Sequence, residues 1–174
     1  MIKRLGSPLQ WMFMAMLVLW GAGALNAAAA DQPAAKPKDE VVKVVYHADF
    51  ADPRRFSAML TNIHNMVSTY QSEMKEYDVR IVFVSYGIRF VTQDKLAGTP
   101  FAEDAAFKQR RAELLARLAT LRDNEGVKLE LCEITRDAVQ LPKEKIIPGV
   151  ALVPSGVARI ADLQHQGFAY LKVE

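Results

Sequence analysis

The stretch VVKVVYHADFADPRRF, residues 41–56, decides the architecture. Val41 to His47 is β-branched and mostly apolar, the composition of a strand buried on both faces of a parallel sheet. Asp52-Pro53 then supplies a helix start, with Asp52 as N-cap and Pro53 at the first helical position, where its missing N–H is no loss. Phe56, Met59, Leu60, Ile63, Val67 and Tyr70 recur three, four and seven apart and draw one apolar helix face. A buried strand that runs into an amphipathic helix is the repeating unit of an α/β fold.

Downstream the alternation continues. Val79 to Tyr86 (VRIVFVSY) reads as a second strand ended by Gly87. Thr99-Pro100 is expected to open a second helix, with Glu103 and Asp104 in its first turn. Phe107, Leu114, Leu118 and Leu121 form its buried stripe, and Gly126 lies past its end. Val127 to Cys132 reads as a third strand, Arg136 to Gln140 as a short helix halted before Pro142, and Val150 to Val153 as a fourth strand. Ser155 caps a helix through Gln166, Gly167 takes its C′ position, and Phe168 to Val173 closes the chain as a fifth strand. Five strands separated by helices predict an open, largely parallel sheet with helices on both faces. No internal repeat or second domain is visible.

Composition narrows the function. Among 174 residues there are 22 Lys plus Arg and 20 Asp plus Glu, and Lys3 and Arg4 account for the whole difference. The rest of the chain is neutral and carries no electrostatic footprint for nucleic acid or an anionic membrane. One cysteine, Cys132, excludes an intramolecular disulfide and a zinc site built on several cysteines. Residues 1–30 read as an export signal: Met1 to Arg4 is positive, Trp11 to Leu19 is unbroken apolar chain, and Ala28-x-Ala30 is a cleavage site. The other reading is an uncleaved anchor, since the apolar run with its alanines approaches spanning length. Cleavage after Ala30 would release into the periplasm a protein with no stable membrane association. Residues 31–40 (DQPAAKPKDE) form a flexible tether, and 41–174 the domain.

Ligand sites of open α/β sheets lie outside the carboxyl ends of the strands. After the first strand comes His47-Ala48-Asp49-Phe50-Ala51-Asp52, and after the second Gly87-Ile88-Arg89. Neither is a G-x-G-x-x-G or Walker loop, and no G-x-S-x-G elbow exists, so no organic cofactor is expected. His47, His64 and His165 stand at spacings that suit no metal, so no metal is expected either. Cys132 remains. It ends the third strand just before a helix that Thr135 would cap, where helix N–H groups favour a thiolate. Its other reading is a small buried hydrophobe.

Four segments resemble one family: VVYHADFADPRRFSAMLTNIHNM (44–66), VRIVFVSYGIRF (79–90), GVKLELCEITRDAV (126–139) and VPSGVARIADLQHQGFAYLKV (153–173). Together they are similar to the DsrE/DsrF-like sulfur-relay family, in its stand-alone exported branch. The resemblance implies a three-layer α/β/α sandwich around a five-stranded, mainly parallel sheet, and a homo-oligomer, trimer or hexamer. It also implies that Cys132 carries sulfane sulfur as a persulfide, exchanged with a periplasmic donor or acceptor protein. Relatives read Cys-x-Asn-Thr where this chain has Cys132-Glu133-Ile134-Thr135, and Val139-Gln140-Leu141 replaces an Arg-Gly-Ile-like segment. Glu133 would oppose a thiolate if its carboxylate faced the sulfur.

Other residues at the same edge have two readings each. His47 is either an acid/base beside a sulfur ligand or a histidine held locally by Asp49 or Asp52. Gly87, Arg89 and Thr135 are the candidates for binding an anionic sulfur species, Arg89 being otherwise a solvated loop residue. Met59, Ile63 and Met66 are expected on a partly apolar helix face available for self-assembly. Two functions stay open: an exported sulfur-trafficking protein, and a non-catalytic oligomeric binding or scaffold domain in which Cys132 is buried and structural.

Overall fold

The computed structural model describes residues 41–174, so the expected signal peptide and tether lie outside the described residues. The strands are β1 (Val42–Ala48), β2 (Tyr77–Phe83), β3 (Lys128–Cys132), β4 (Val150–Val153) and β5 (Ala169–Leu171). Helices are α1 (Pro53–Ser72), α2 (Ala105–Asn124), α3 (Glu133–Ala138) and α4 (Gly156–His165). All five strands are parallel, in the order β4-β3-β2-β1-β5.

Strand order and chirality fix where the helices go. From β1 to β2 to β3 to β4 the chain steps three times in one direction, and from β4 to β5 it returns across the whole sheet. Right-handed crossovers therefore put the first three connections on one face and α4 on the other. The packing agrees. Phe56, Leu60 and Ile63 of α1 and Leu114 and Leu118 of α2 join Val44, Val79, Ile81, Phe83, Leu129 and Leu131 in the larger core. Ile160 and Leu163 of α4 pack with Phe168 against Val45 and Val82 on the opposite face. Glu130, buried beneath α4, accepts two hydrogen bonds from Arg159 (2.7 and 2.9 Å) and one from Arg80 (2.8 Å), which pins the helix to β2 and β3. The sheet is thus the expected one, parallel and covered on both faces.

Local caps follow the chemistry of their residues. The Asp52 carboxylate accepts the Arg54 N–H at 2.7 Å with Pro53 at the first helical position, and the Ser155 hydroxyl accepts the Ala158 N–H.

Three boundaries near the carboxyl edge of the sheet, and one packing expectation, differ from the sequence reading. β2 stops at Phe83, because Ser85 adopts a left-handed backbone (φ 53°) and starts a 3-10 segment, Ser85–Phe90. α2 starts at Ala105, not Thr99, because Asp104 takes the cap by accepting the Phe107 N–H at 2.8 Å. Thr99 instead closes a local turn, donating to the Leu96 carbonyl. α3 starts at Glu133, so Cys132 itself holds the N-cap position and Thr135 lies inside the helix. Met59 and Ile63 are wholly buried against the sheet and cannot form an assembly face.

Candidate functional site at the β3–β4 crevice

Adjacent strands whose following connections leave to opposite faces open a crevice at their carboxyl ends. Here those strands are β3, followed by α3 on the α1/α2 side, and β4, followed by α4 on the other. Cys132 is the last residue of β3 and pairs with Val153 of β4. Leu131 points into the larger core, so Cys132, one residue later, projects to the α4 side. It is 4% exposed.

Two helix beginnings converge on this thiol. From α3 come the N–H groups of Ile134 and Thr135 with the Thr135 hydroxyl, and from α4 comes the N–H of Gly156. Burial pushes the Cys132 thiol up. The Gly156 N–H, the Thr135 N–H and hydroxyl and the Ile134 N–H outweigh it and hold the thiol below its ordinary range. Thr135 suits this task because its oxygen already accepts the Ser85 N–H at 3.0 Å, which leaves the hydroxyl proton free to favour the thiolate. The same bond ties down Ser85, whose left-handed backbone is uncommon outside glycine. Glu133 does not face the sulfur: its carboxylate meets Arg136 at 3.4 Å and Lys143 at 3.6 Å. Ile134 and Val157, the second residues of α3 and α4, are exposed apolar side chains.

A model of the DsrE/DsrF-like family matches residues 41–173. The chain belongs to this family. No curated protein matches it in sequence. Among solved structures it is similar to MTH1491 of Methanobacterium thermoautotrophicum, described as a protein of unknown function. That likeness has a TM-score of 0.57 at 21% identity, over 75% of this chain and 98% of that one. The ychN protein of E. coli gives a TM-score of 0.45 at 18% identity, over 76% and 99%. The first likeness extends to the fold, a five-stranded parallel α/β sheet.

Of the residues singled out in this DsrE/DsrF-like chain, the structure brings Thr135 to Cys132 and leaves the others apart. His47 shares a sheet face with Cys132 but stands two strands away, roughly 10 Å at a strand spacing of ~4.8 Å. Its Nδ1 lies 3.1 Å from the Tyr170 hydroxyl and its Nε2 4.0 Å from Asp49. Burial lowers His47 first, and Lys172 and Arg55 add to this against the Asp49 carboxylate, so the ring is neutral near pH 7. Arg89 is not a loop cation. It is 4% exposed, and all five of its N–H donors are committed to the carbonyls of Ala51, Phe101 and Ala102 and to Asp104. Gly87 serves packing, since a Cβ there would sit 2.0 Å from the Ala48 carbonyl oxygen.

Gly156, Ile134 and Ser85 belong to the site and were missed from sequence. A signal existed for Gly156. Val153-Pro154-Ser155-Gly156 places a cap and a residue with no side chain directly after a strand, at the edge where ligands bind. What it approaches is legible only once β4 is known to lie beside β3.

Proposed function

We propose that this DsrE/DsrF-like protein is an exported sulfur carrier that holds sulfane sulfur as a persulfide on Cys132. The observation that supports this most is the convergence of helix N–H groups from α3 and α4 on one thiol at the crevice. Such a cradle favours the thiolate, which is the nucleophile. In loading, the Cys132 thiolate attacks the terminal sulfur of a persulfide donor. One S–S bond forms to Cys132 as the donor's S–S bond breaks, and the donor leaves as a thiol. In unloading, an acceptor thiolate takes the outer sulfur, and Cys132 departs as the thiolate that the same N–H groups stabilise. Neither step needs an oxidant. The carrier works as a homo-oligomer, trimer or hexamer, in the periplasm after cleavage near Ala30, with a protein donor or acceptor.

Burial of Cys132 favours a second reading, a scaffold domain in which the thiol is only a packing group. One experiment separates the two. Incubation of the native protein with polysulfide is expected to add the mass of one sulfur atom, removable by reductant and absent in Cys132→Ser. A thiol that stays unmodified until the protein is unfolded establishes the scaffold reading instead. N-terminal sequencing of the exported protein is expected to begin at Asp31.

A further inference from the structure

We infer that Gly156 is a positioning residue for the Cys132 sulfur, placed where any side chain would hold the start of α4 away from the thiol. This deepens the sulfur-carrier reading, and its geometric argument concerns the thiolate alone.

Gly156 opens α4, a helix of ten residues whose N-cap is Ser155. A Cβ built at Gly156 would meet Val84 Cγ2 at 2.5 Å, the Cβ of Cys132 at 3.0 Å and Val82 Cγ1 at 3.4 Å. The backbone conformation does not ask for glycine, because Gly156 is absent from the positive-φ positions. Helix propensity does not ask for it either, since alanine is the better helix former. What glycine supplies is proximity. With no side chain, the first turn of α4 settles against Val82 of β2, Val84 just past its end and the Cβ of Cys132, 24 positions back along the chain, and its N–H favours the thiolate there. A glycine here costs backbone entropy and gives no core contact, so its use at this contact is a choice for approach.

Charged groups around the thiol are otherwise occupied. On α3, Glu133 faces Arg136 and Lys143, and Asp137 faces Arg136. On β3, Glu130 is paired with Arg80 and with Arg159 of α4. In the 3-10 segment, Arg89 is committed to Asp104 and to backbone carbonyls. Burial acts first on the sulfur charge, and the N–H groups of the two helix starts oppose it, with the α4 share passing through Gly156.

The test is the pH dependence of Cys132 alkylation by iodoacetamide in the full-length native protein. Gly156→Ala is expected to raise the thiol midpoint by about one pH unit, the effect of losing one hydrogen bond to an anion. At pH values below both midpoints, that is about a tenfold drop in alkylation rate. Gly156→Ala combined with Val84→Ala removes the tightest contact, so that variant folds as the wild type does while the Cβ contact with Cys132 persists. The raised midpoint is expected in it as well. A wild-type midpoint in a folded variant overturns the inference and leaves Gly156 a packing residue. Polysulfide loading of the wild type is scored separately. Failure to load with a midpoint that moves counts against the carrier, whereas loading with a fixed midpoint counts against Gly156.

Discussion

The carboxyl edge of the sheet has two stretches built from the same kinds of strand, and they end very differently. Between β1 and β2 both following connections turn to the α1/α2 face, and the 3-10 segment folds down across the strand ends. Gly87 presses against the Ala48 carbonyl, and the five donors of Arg89 are exhausted on carbonyls and Asp104. Between β3 and β4 the connections part to opposite faces, and the first N–H groups of α3 and α4 are left facing one thiol. One stretch has consumed its polar groups in holding the fold, and the other has kept them for a ligand atom. The lesson is topological: where the chain goes after the strand decides whether the strand end is structure or site.

The strongest test of this contrast is Arg89→Met. It would leave the half-buried carbonyls of Ala51, Phe101 and Ala102 without their donor, a loss of about 2–3 kcal/mol of stability. Urea unfolding measures it, and the folded fraction should load sulfur on Cys132 as the wild type does. Failure of loading at unchanged stability would break the contrast.

Thr135→Val probes the other stretch. It removes the hydroxyl that faces sulfur and the acceptor of the Ser85 N–H. The alkylation midpoint of Cys132 is expected to rise by about one pH unit, with a stability loss of about 1–2 kcal/mol. A midpoint that stays put while stability falls would make Thr135 a tie for the strained Ser85 turn and nothing more.

The smallest effect is expected from His47→Gln. Standing two strands from the thiol, His47 should change its alkylation rate less than about twofold at any pH, at the roughly 10 Å spacing of the strands. Its signature lies in stability. Burial holds its folded pKa below the ordinary histidine value of about 6.5. Its contribution is therefore fully present above that value and is lost as the pH falls from there through the folded pKa. Urea midpoints recorded below about pH 6.5 should decline in the wild type and flatten in the variant. A large change in alkylation would instead assign His47 to the sulfur site, across the gap that separates the two stretches.

How much of the site could be read in advance follows from the range of the forces involved. Cys132 was legible because a strand end is marked by its own neighbours: the VKLEL run before it and the polar turn after it. Thr135 was legible as a helix-start residue but three positions out of register, since Cys132 takes the cap position. Arg89 was read as a binding candidate or a solvated cation, because the acceptors that bury it come from residues 51, 101, 102 and 104. The early end of β2 came from a local choice at Ser85, whose left-handed backbone is held by a residue 50 positions away.

By itself the sequence determined the alternation of buried strands and amphipathic helices, the parallel sheet with helices on both faces, and the caps at Asp52 and Ser155. Periodicity and capping are matters of a few neighbouring residues, so they are written locally. Only the tertiary structure decided the strand order, and with it the crevice between β3 and β4. It alone set Gly156 against Cys132, closed Arg89 into the fold and held His47 apart. Each of these rests on contacts between segments far apart in the chain. Which segments meet is settled by how the whole sheet buries its two faces, a collective balance that no short stretch of residues records.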